Sequence, residues 1–479
     1  MSMVRKRINL TILHYILVLF FMFGFRFLSP IGGLNEISMQ VIGVFVGVIY
    51  GWITLSIGWP SILGLVAFGL TDYVSMSDLL VSAFASQTVV MIMGLLLLAA
   101  FIQQAGLTTI IVDFLLSRKS AQGRPYVVLF YFLLAGFIAA ILSQPLAVLV
   151  IFLELFLEIM HKTGIKPHSR AVPTFFVGSA FAIVIGDISL PFKGCAILGI
   201  GAYSSITGET LDFLRYTLFM MPMCLLTIVA YVLFCKFILR INLSGLEEYV
   251  HDTSKSAAIT LRQKVSLVGV ILAMAMLLVP SILPDSWAIT PIITGLGLGG
   301  LTLFLVAILM MIKVEGKPLM DLGEIASQYP WNVYFVIVVL LPLADALSSD
   351  AVGLKQLLSA GATSLLSGLP GVLTIFLVVL ISAVVTNFAN NMVVCSVFVT
   401  IICFMGDALP FSTEILSCLV ILATNLSMFF PAANPMNAII FSQKNIVTFK
   451  AEFTHGLISC VFLCVFISIV GYFYGSLIF

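Results

Sequence analysis

The sequence predicts an all-α membrane protein that crosses the bilayer many times and contains two inverted repeats. Hydrophobic residues make up 61% of the chain and charged residues only 9%, too few charges to cover a soluble domain of this size. Two apolar stretches are interrupted by polar residues, at Ser143-Gln144-Pro145 and at Asn390-Asn391. Because a membrane-spanning helix needs roughly 20 apolar residues, we expect about eleven such helices and two re-entrant helical hairpins.

Composition also limits the classes of function. The net charge is +1, so the sequence has no basic footprint for nucleic acid, and the lipid bilayer is the first predicted partner. Eight Cys and five His are scattered without a CxxC motif or paired His, which argues against a metal cluster or a disulfide framework. The apolar runs carry neither a Walker motif nor a nucleophile–base pair, so we predict neither ATP-driven transport nor an enzyme.

The apolar runs give the spans, and the loops give their orientation. We place spans near 9–28, 37–56, 58–71, 85–104, 172–202, 216–239, 265–283, 291–312, 331–349, 413–442 and 453–478, with hairpins near 126–160 and 371–406. If each hairpin enters and leaves on one side, 18 of the 22 Lys and Arg lie on the side of the N-terminus. Since basic residues concentrate in cytoplasmic loops, we predict a multi-pass protein of the cell (plasma or inner) membrane, with a cytoplasmic N-terminus and an external C-terminus.

Each hairpin is followed by a broken span, and this pair of features occurs twice in opposite orientation. The first break lies within 184–198 and the second within 429–441, both rich in Gly, Pro or polar residues. Non-helical backbone at membrane depth is tolerated where it is buried in protein or lines a cavity. In secondary transporters, inverted repeats place the substrate near the midplane, between half-helix ends. The pattern therefore predicts a transporter.

Three stretches carry a resemblance to a known family. They are YGWITLSIGWPSILGLVAFGL (50–70), SAFASQTVVMIMGLLLLAAFIQQAGL (82–107) and FFPAANPMNAIIF (429–441). The first resembles the early Trp-x-Thr…Pro segment, and the last the Pro-x-x-Thr-Pro-Pro-Asn-Ala-Ile signature, of the divalent anion–sodium symporters. These dicarboxylate and citrate carriers belong to the ion transporter superfamily. The resemblance implies a homodimer, in which the transport domain of each protomer moves against a scaffold domain like an elevator.

The resemblance divides the chain into five segments. Residues 1–124 would form the scaffold helices of the first repeat, and 125–240 the transport half with the first hairpin. The polar stretch 241–264 would be a cytoplasmic linker. Residues 265–364 would form the scaffold helices of the second repeat, and 365–479 the transport half with the second hairpin.

The family's hairpin tips carry Ser-Asn-Thr, which contacts the substrate carboxylate beside bound sodium. Here each tip keeps a central amide but loses the final Thr hydroxyl. The substrate contacts predicted from this resemblance and from charge are Ser143, Gln144, Pro145, Asn390, Asn391, Lys193 and Asn437. Positions for ion binding or coupling are Thr386, Ala389, Asn390, Ala432, Ala433, Asn434, Asp187 and Lys193. No organic cofactor is predicted, and sodium is expected at the second tip only, since the first tip has Ala139 where the family has a ligating Ser.

Lys193 is the most unusual residue of the predicted site. A Lys near the middle of a span costs about 2.5–3.5 kcal/mol on insertion scales and commonly marks function or a charge pair. Its ammonium could take the place of a sodium ion, or face an anionic substrate. It could instead form a structural salt bridge with Asp187, six residues earlier. An Asp–Lys pair could also exchange a proton during transport.

These observations favour secondary active transport of a small organic anion, a di- or tricarboxylate, coupled to sodium, protons or both. The alternative is exchange or export of a different oxyanion or an organic phosphate, because the hairpin tips differ from those of the family. A membrane-embedded enzyme or a structural membrane protein is less favoured, since no catalytic cluster accompanies the polar groups.

The loop charges predict the topology of the chain. A reporter that is active only in the cytoplasm should be active when inserted at Lys255 and inactive when fused after Phe479, because the positive-inside rule places these two positions on opposite sides. Activity at both positions, with equal expression, would contradict the assigned hairpins.

Overall fold

The computed structural model describes residues 2–30, 34–105, 108–118, 120, 122–249, 259–284, 286–353, 370–406, 409, 411–431 and 433–479. Its helices are, in chain order, α1 Ser2–Leu19, α2 Glu36–Thr54, α3 Gly58–Phe68, α4 Met76–Ala85, α5 Gln87–Gln104, α6 Thr108–Leu116, α7 Pro125–Ile141, α8 Pro145–Thr163, α9 Ala171–Ile188, α10 Gly194–Thr207, α11 Phe213–Leu233, α12 Leu261–Leu278, α13 Thr290–Met311, α14 Leu322–Ala326, α15 Trp331–Ser348, α16 Gly371–Thr386, α17 Asn391–Met405, α18 Thr413–Ala423, α19 Pro435–Ser442 and α20 Phe449–Ile478.

The fold is helical, as the sequence predicts. Strands β1 (Lys313–Val314) and β2 (Lys317–Pro318) form a small antiparallel ribbon, the only sheet in the described residues. Within those residues, nine helices are long and apolar enough to span a bilayer: Leu10–Phe27, Glu36–Thr54, Gln87–Gln104, Ala171–Ile188, Phe213–Ile238, Leu261–Leu278, Thr290–Met311, Trp331–Ser348 and Phe449–Ile478. The protein is therefore a multi-pass membrane protein.

Burial separates inner from outer helices. In Ala171–Ile188, 94% of the residues are buried, whereas the figure is 11% for Leu10–Phe27 and 22% for Leu261–Leu278. The exposed side chains of the outer helices are large and apolar, such as Ile16 and Ile271. In a bilayer such faces contact lipid, so α9 is an interior helix and α1 and α12 are peripheral.

Both predicted hairpins are interrupted. Helix α7 ends at Ile141 and α8 begins at Pro145, which occupies the first helical turn, where its missing N–H is tolerated. Helix α16 ends at Thr386 and α17 begins at Asn391. The two arms of each hairpin contact one another, so neither segment continues as one straight helix.

The two predicted breaks are also present. The chain leaves helical geometry between α9 and α10, and again between α18 and α19, where Ala423 and Pro435 bound the longer gap. Helix α10 packs on α17 of the other half and also touches α5 and α15. Its Cys195 carbonyl accepts from the Cys395 thiol at 3.4 Å. The two halves therefore meet along α10, next to both hairpins. The five-segment domain division stays a prediction.

Close packing between α7 and α9 requires a glycine. A Cβ on Gly186 would lie 2.3 Å from the backbone oxygen of Phe137, and backbone cannot move aside as a side chain can. We expect Gly186→Ala to destabilise the protein by about 1–3 kcal/mol, the usual range for overpacking. Gly295→Ala is the matched control, since its Cβ would meet nothing within 4 Å. Thermal unfolding in detergent measures both, and equal midpoints would contradict the close approach.

Candidate functional site

The first hairpin tip is built around the ammonium of Lys193. Its Nζ donates to the carbonyl oxygens of Ala140 (2.5 Å), Ile141 (3.3 Å) and Ser143 (2.8 Å). It also pairs with Asp187 Oδ1 at 3.0 Å. The last carbonyls of a helix have no partner within the helix and carry partial negative charge, so a cation stabilises them. Lys193 is 7% exposed and closes the end of α7.

Asp187 joins the same cluster to α10. Gly194, the first residue of α10, has φ +51°, and a Cβ there would lie 2.1 Å from Asp187 Oδ2. The carboxylate therefore lies against the first turn of α10, where the helix dipole favours negative charge. The ion pair connects the ends of α7, α9 and α10. Lys193 therefore forms a salt bridge with Asp187 and is also surrounded by carbonyl oxygens of the hairpin tip.

A cavity of about 180 Å³ opens beside the first tip. Among the described residues, the polar side chains that line this cavity are Gln103, Ser143, Gln144, Asp187, Lys193 and Gln328. Gln103 Nε2 donates to Gln144 Oε1 at 3.1 Å. Within the described chain, α8 starts without a side-chain cap, which leaves N–H groups of its first turn free. Such a helix start, next to amide groups, is suited to an anion.

The cavity brings together parts that are distant in sequence. Pro145 and Met392 line it from the two hairpin tips, while Gln103 comes from α5 and Gln328 from the segment before α15. Sequence reasoning did not find Gln103 or Gln328. The only sequence signal for Gln103 is its place, with Gln104, at the polar end of an otherwise apolar helix.

The second tip is a network of neutral groups. The Thr386 hydroxyl lies 3.0 Å from Asn391 Oδ1 and 2.7 Å from the carbonyl oxygen of Thr424. A hydroxyl has one proton, so it cannot satisfy both acceptors at once. Asn391 Nδ2 donates to Ser427 Oγ at 2.9 Å. Three oxygens thus converge where only one proton is available.

Amides close the second break. Asn434 caps α19 by accepting from the Asn437 N–H at 2.9 Å, and Asn437 Nδ2 donates to the carbonyls of Ser427 (2.8 Å) and Phe430 (3.0 Å). Asn387, a residue that sequence reasoning left out of the site, accepts from the Phe429 N–H at 2.9 Å. Its position among the polar residues of TNFANN is the signal that could have found it. Asn387 thus joins the hairpin to the break, while Asn434 and Asn437 order the break and the start of α19.

A second, more open cavity of about 730 Å³ lies between the second tip and the loop from α2 to α3. Ala389, Asn390, Ala433 and Asn434 line it, opposite Trp52–Trp59 and Asn332, another residue that the sequence did not single out. Of the other predicted site residues, Thr386, Asn391 and Asn437 line neither cavity in the described part of the chain. Ala432 lies outside the described residues.

Paired hairpins that meet two broken helices at the centre of a helical membrane protein define the fold class of secondary transporters. The profile of the citrate transporter family matches residues 45–416, and the chain belongs to that family.

Individual relatives match over shorter regions. The Caenorhabditis elegans sodium-dependent high-affinity dicarboxylate transporter 3 is 31% identical over 145 residues, 29% of this chain and 24% of that protein. The sodium-dependent low-affinity dicarboxylate transporter 1 of the same organism is 26% identical over 159 residues, 32% of this chain and 25% of that protein. The matched region therefore spans about a quarter of the length of these curated relatives.

Two solved structures share the fold. The Alcanivorax borkumensis YdaH transporter superposes with a TM-score of 0.54 over 83% of this chain and 87% of that one. The Neisseria gonorrhoeae MtrF structure, from a class of antimetabolite efflux pumps, gives 0.55 over 83% and 85%. Both are 14% identical in sequence, so the likeness concerns the fold alone.

The burial of the Lys193 ammonium predicts how its removal changes the stability of the protein. Lys193→Met leaves Asp187 and the end of α7 without their positive partner, so it should cost about 3–5 kcal/mol, as for other broken buried pairs. Lys162→Met is the control, because its pair with Glu158 (2.8 Å) is much more exposed and should contribute about 0–1 kcal/mol. Thermal unfolding in detergent compares the two variants. A Lys193→Met protein as stable as the control would show that the cluster does not hold the helices together.

Proposed function

We propose that the protein is a secondary active transporter of a small organic anion, a di- or tricarboxylate such as citrate, which binds at the first hairpin tip. The observation that carries this proposal is the cavity beside that tip. It combines the free N–H groups of α8 with the amides of Gln103 and Gln144 and the hydroxyl of Ser143. A carboxylate that leaves water needs such donors in return.

A contrast between the tips supports this choice. At the second tip, α17 and α19 are capped by the side chains of Asn390 and Asn434, which accept from their own first turns. At the first tip, α8 and α10 have no side-chain cap among the described residues. At the second tip, N–H groups at the helix starts are bonded to side chains of the protein. At the first tip, those of α8 are available to a ligand.

Charge at the first tip also bears on coupling. The Lys193 ammonium already has four oxygen neighbours, which is the surrounding that a sodium ion would need. A fixed ammonium offsets negative charge but does not dissociate, so it cannot carry the energy of an ion gradient. We therefore propose at most one tip-bound sodium ion, at the second tip, or proton exchange at the Asp187–Lys193 pair.

Sodium fits the second tip for a specific reason. Thr386 Oγ1, Asn391 Oδ1 and the Thr424 carbonyl oxygen converge, with one hydroxyl proton among them. Neutral hydroxyl, amide and carbonyl oxygens are the hard ligands that such a cation takes, and the ion would satisfy the acceptor that is left without the single hydroxyl proton. The carbonyls near Ala389 and Ala433 belong to the same proposed site.

The walls of the two cavities support an elevator-type movement, which we propose for a homodimer because the family resemblance implies one. In each cavity a hairpin tip faces helices of the predicted scaffold, α5 and α15 in one and the α2–α3 loop in the other. A rigid shift of the hairpin-bearing half along these helices would expose the site on either side of the membrane. The same geometry suits exchange or export of another oxyanion. Gln144 and Pro145 differ from the family's tip residues, so the substrate can differ as well.

Uptake by proteoliposomes tests the proposal. Citrate and dicarboxylate uptake should be saturable and should depend on a sodium gradient or a pH gradient, because the anion's charge must be offset. Sulfate, phosphate and organic phosphates provide the competing substrates. No flux of any anion under either gradient would overturn the transport proposal.

A variant of Lys193 tests the proposed ion coupling. Lys193→Ala should lower uptake at least tenfold, and raised sodium should restore part of it by filling the vacated oxygen cluster. Lys162→Ala, at an exposed pair, is the control and should transport like the wild type. If the wild type requires several sodium ions per cycle and Lys193→Ala behaves identically, the ammonium does not replace a sodium ion.

A further inference from the structure

One face of α20 carries three buried polar residues that lie outside both cavities. Glu452, His455 and Ser459 are 1%, 8% and 0% exposed, and their spacing places them on the same side of the helix. Within the described chain, Glu452 Oε2 and Ser459 Oγ have no hydrogen-bond partner. Buried polar groups are normally paired, so this face needs an explanation.

Among the described residues, Glu452 has no counterion, and its Oε2 has no hydrogen-bond partner. The described residues place no Lys, Arg or His nitrogen within 4.0 Å of its carboxylate. An ionised carboxylate buried without a partner is strongly unfavourable, and such a group normally takes up a proton instead. Burial and the missing partner together therefore favour the neutral acid.

The charged and titratable groups around Glu452 come from several elements. Helix α9 contributes Arg170 at its start, and α11 with its continuation contributes Tyr231 and Cys235. Helix α20 itself contributes Lys450 and His455. Neither α16 nor α19 has a titratable residue in its sequence, and Glu414 of α18 lies at the far end of α20, where Ile415 meets Gly475.

His455 connects this face to solvent. It lines a cavity of about 330 Å³ between the starts of α9 and α20, together with His168, Arg170 and Lys450. Tyr231 OH donates to the Thr174 carbonyl at 2.8 Å and lies 2.9 Å from His455 Nε2. Since the tyrosine proton is used, this network assigns the imidazole proton to Nε2 and leaves Nδ1 as an acceptor. His455, one helical turn from Glu452, is thus the member of this face that lines the cavity and has a free acceptor nitrogen within the described residues.

The same face of α20 supports the second break. A Cβ on Gly456 would lie 2.3 Å from the Met428 carbonyl oxygen, and the Cys460 thiol donates to the Leu426 carbonyl at 3.6 Å. A negative charge that appeared on Glu452 would therefore act close to the segment that carries Ser427. Packing this tight transmits a local change rather than absorbing it.

We propose that Glu452 is a proton-binding site that exchanges with water through His455 and the cavity at the start of α20, and that its protonation state biases the second break. A proton from water in the cavity binds the carboxylate, and the same proton returns to water on release, with no other bond changed. The site is separate from the Asp187–Lys193 pair. Only its use in transport rests on the proposed function.

Infrared spectroscopy of the purified protein tests the site without any transport. The difference between wild type and Glu452→Gln should contain the carbonyl band of a protonated carboxylic acid at neutral pH, and this band should vanish as the pH is raised. Carboxylate bands at neutral pH in place of the acid band would overturn the proposal. Failure of Glu452→Gln to fold would also overturn it, because the amide has the shape of the neutral acid.

Uptake against pH tests whether transport uses the proton. Glu452→Gln should reduce the ratio of uptake at acidic to alkaline pH at least threefold relative to the wild type. Glu158→Gln, at the exposed pair with Lys162, should keep the wild-type profile. An unchanged profile in Glu452→Gln would show that the proton does not bias the break. If the wild type moves no anion, the transport proposal fails while the infrared result still decides the site.

Discussion

The Lys193 ammonium connects three helix ends whose polar groups would otherwise be buried in the membrane without a partner. Broken backbone at membrane depth has no water to satisfy its carbonyls, so the protein must supply a partner. Lys193 does this for α7, and Asp187 balances its charge while it contacts the start of α10. The position of Gln144, the opening of the first cavity and the free start of α8 all follow from this arrangement.

The second half solves the same problem with neutral groups. Asn387 and Asn391 connect the hairpin to the break through hydrogen bonds that need no charge. Asn434 and Asn437 form hydrogen bonds within the break and the start of α19. Neutral networks have smaller desolvation penalties than buried ions, but they use up the donors and acceptors of their own helix ends. The two inverted halves are therefore similar in fold and different in chemistry.

Helix α20 adds a third constraint, because it packs closely against helices of both halves and against the second break. Its small residues Gly456 and Gly471 let it approach Met428 and Leu419 closely. It also buries Glu452 Oε2 and Ser459 Oγ, which have no hydrogen-bond partner among the described residues. The peripheral helices α1 and α12 expose large apolar side chains such as Ile16 and Ile271, which contact lipid in a bilayer.

The sequence by itself determined the membrane class, most of the spans, the two hairpins and the two breaks, because each depends on local composition. A polar or Pro-containing interruption in an apolar run is visible wherever it occurs. It also pointed to Lys193, since a lone cation in a span is rare. It could not decide which partner each polar group has. Asn391 and Asn437, expected to touch substrate, bond to Ser427, and Gln103, Gln328, Asn332 and Glu452 acquire their roles from residues far along the chain. An amide in a sequence is the same whether its partner is a ligand or the protein; only the tertiary fold, which sets distances between distant segments, distinguishes the two.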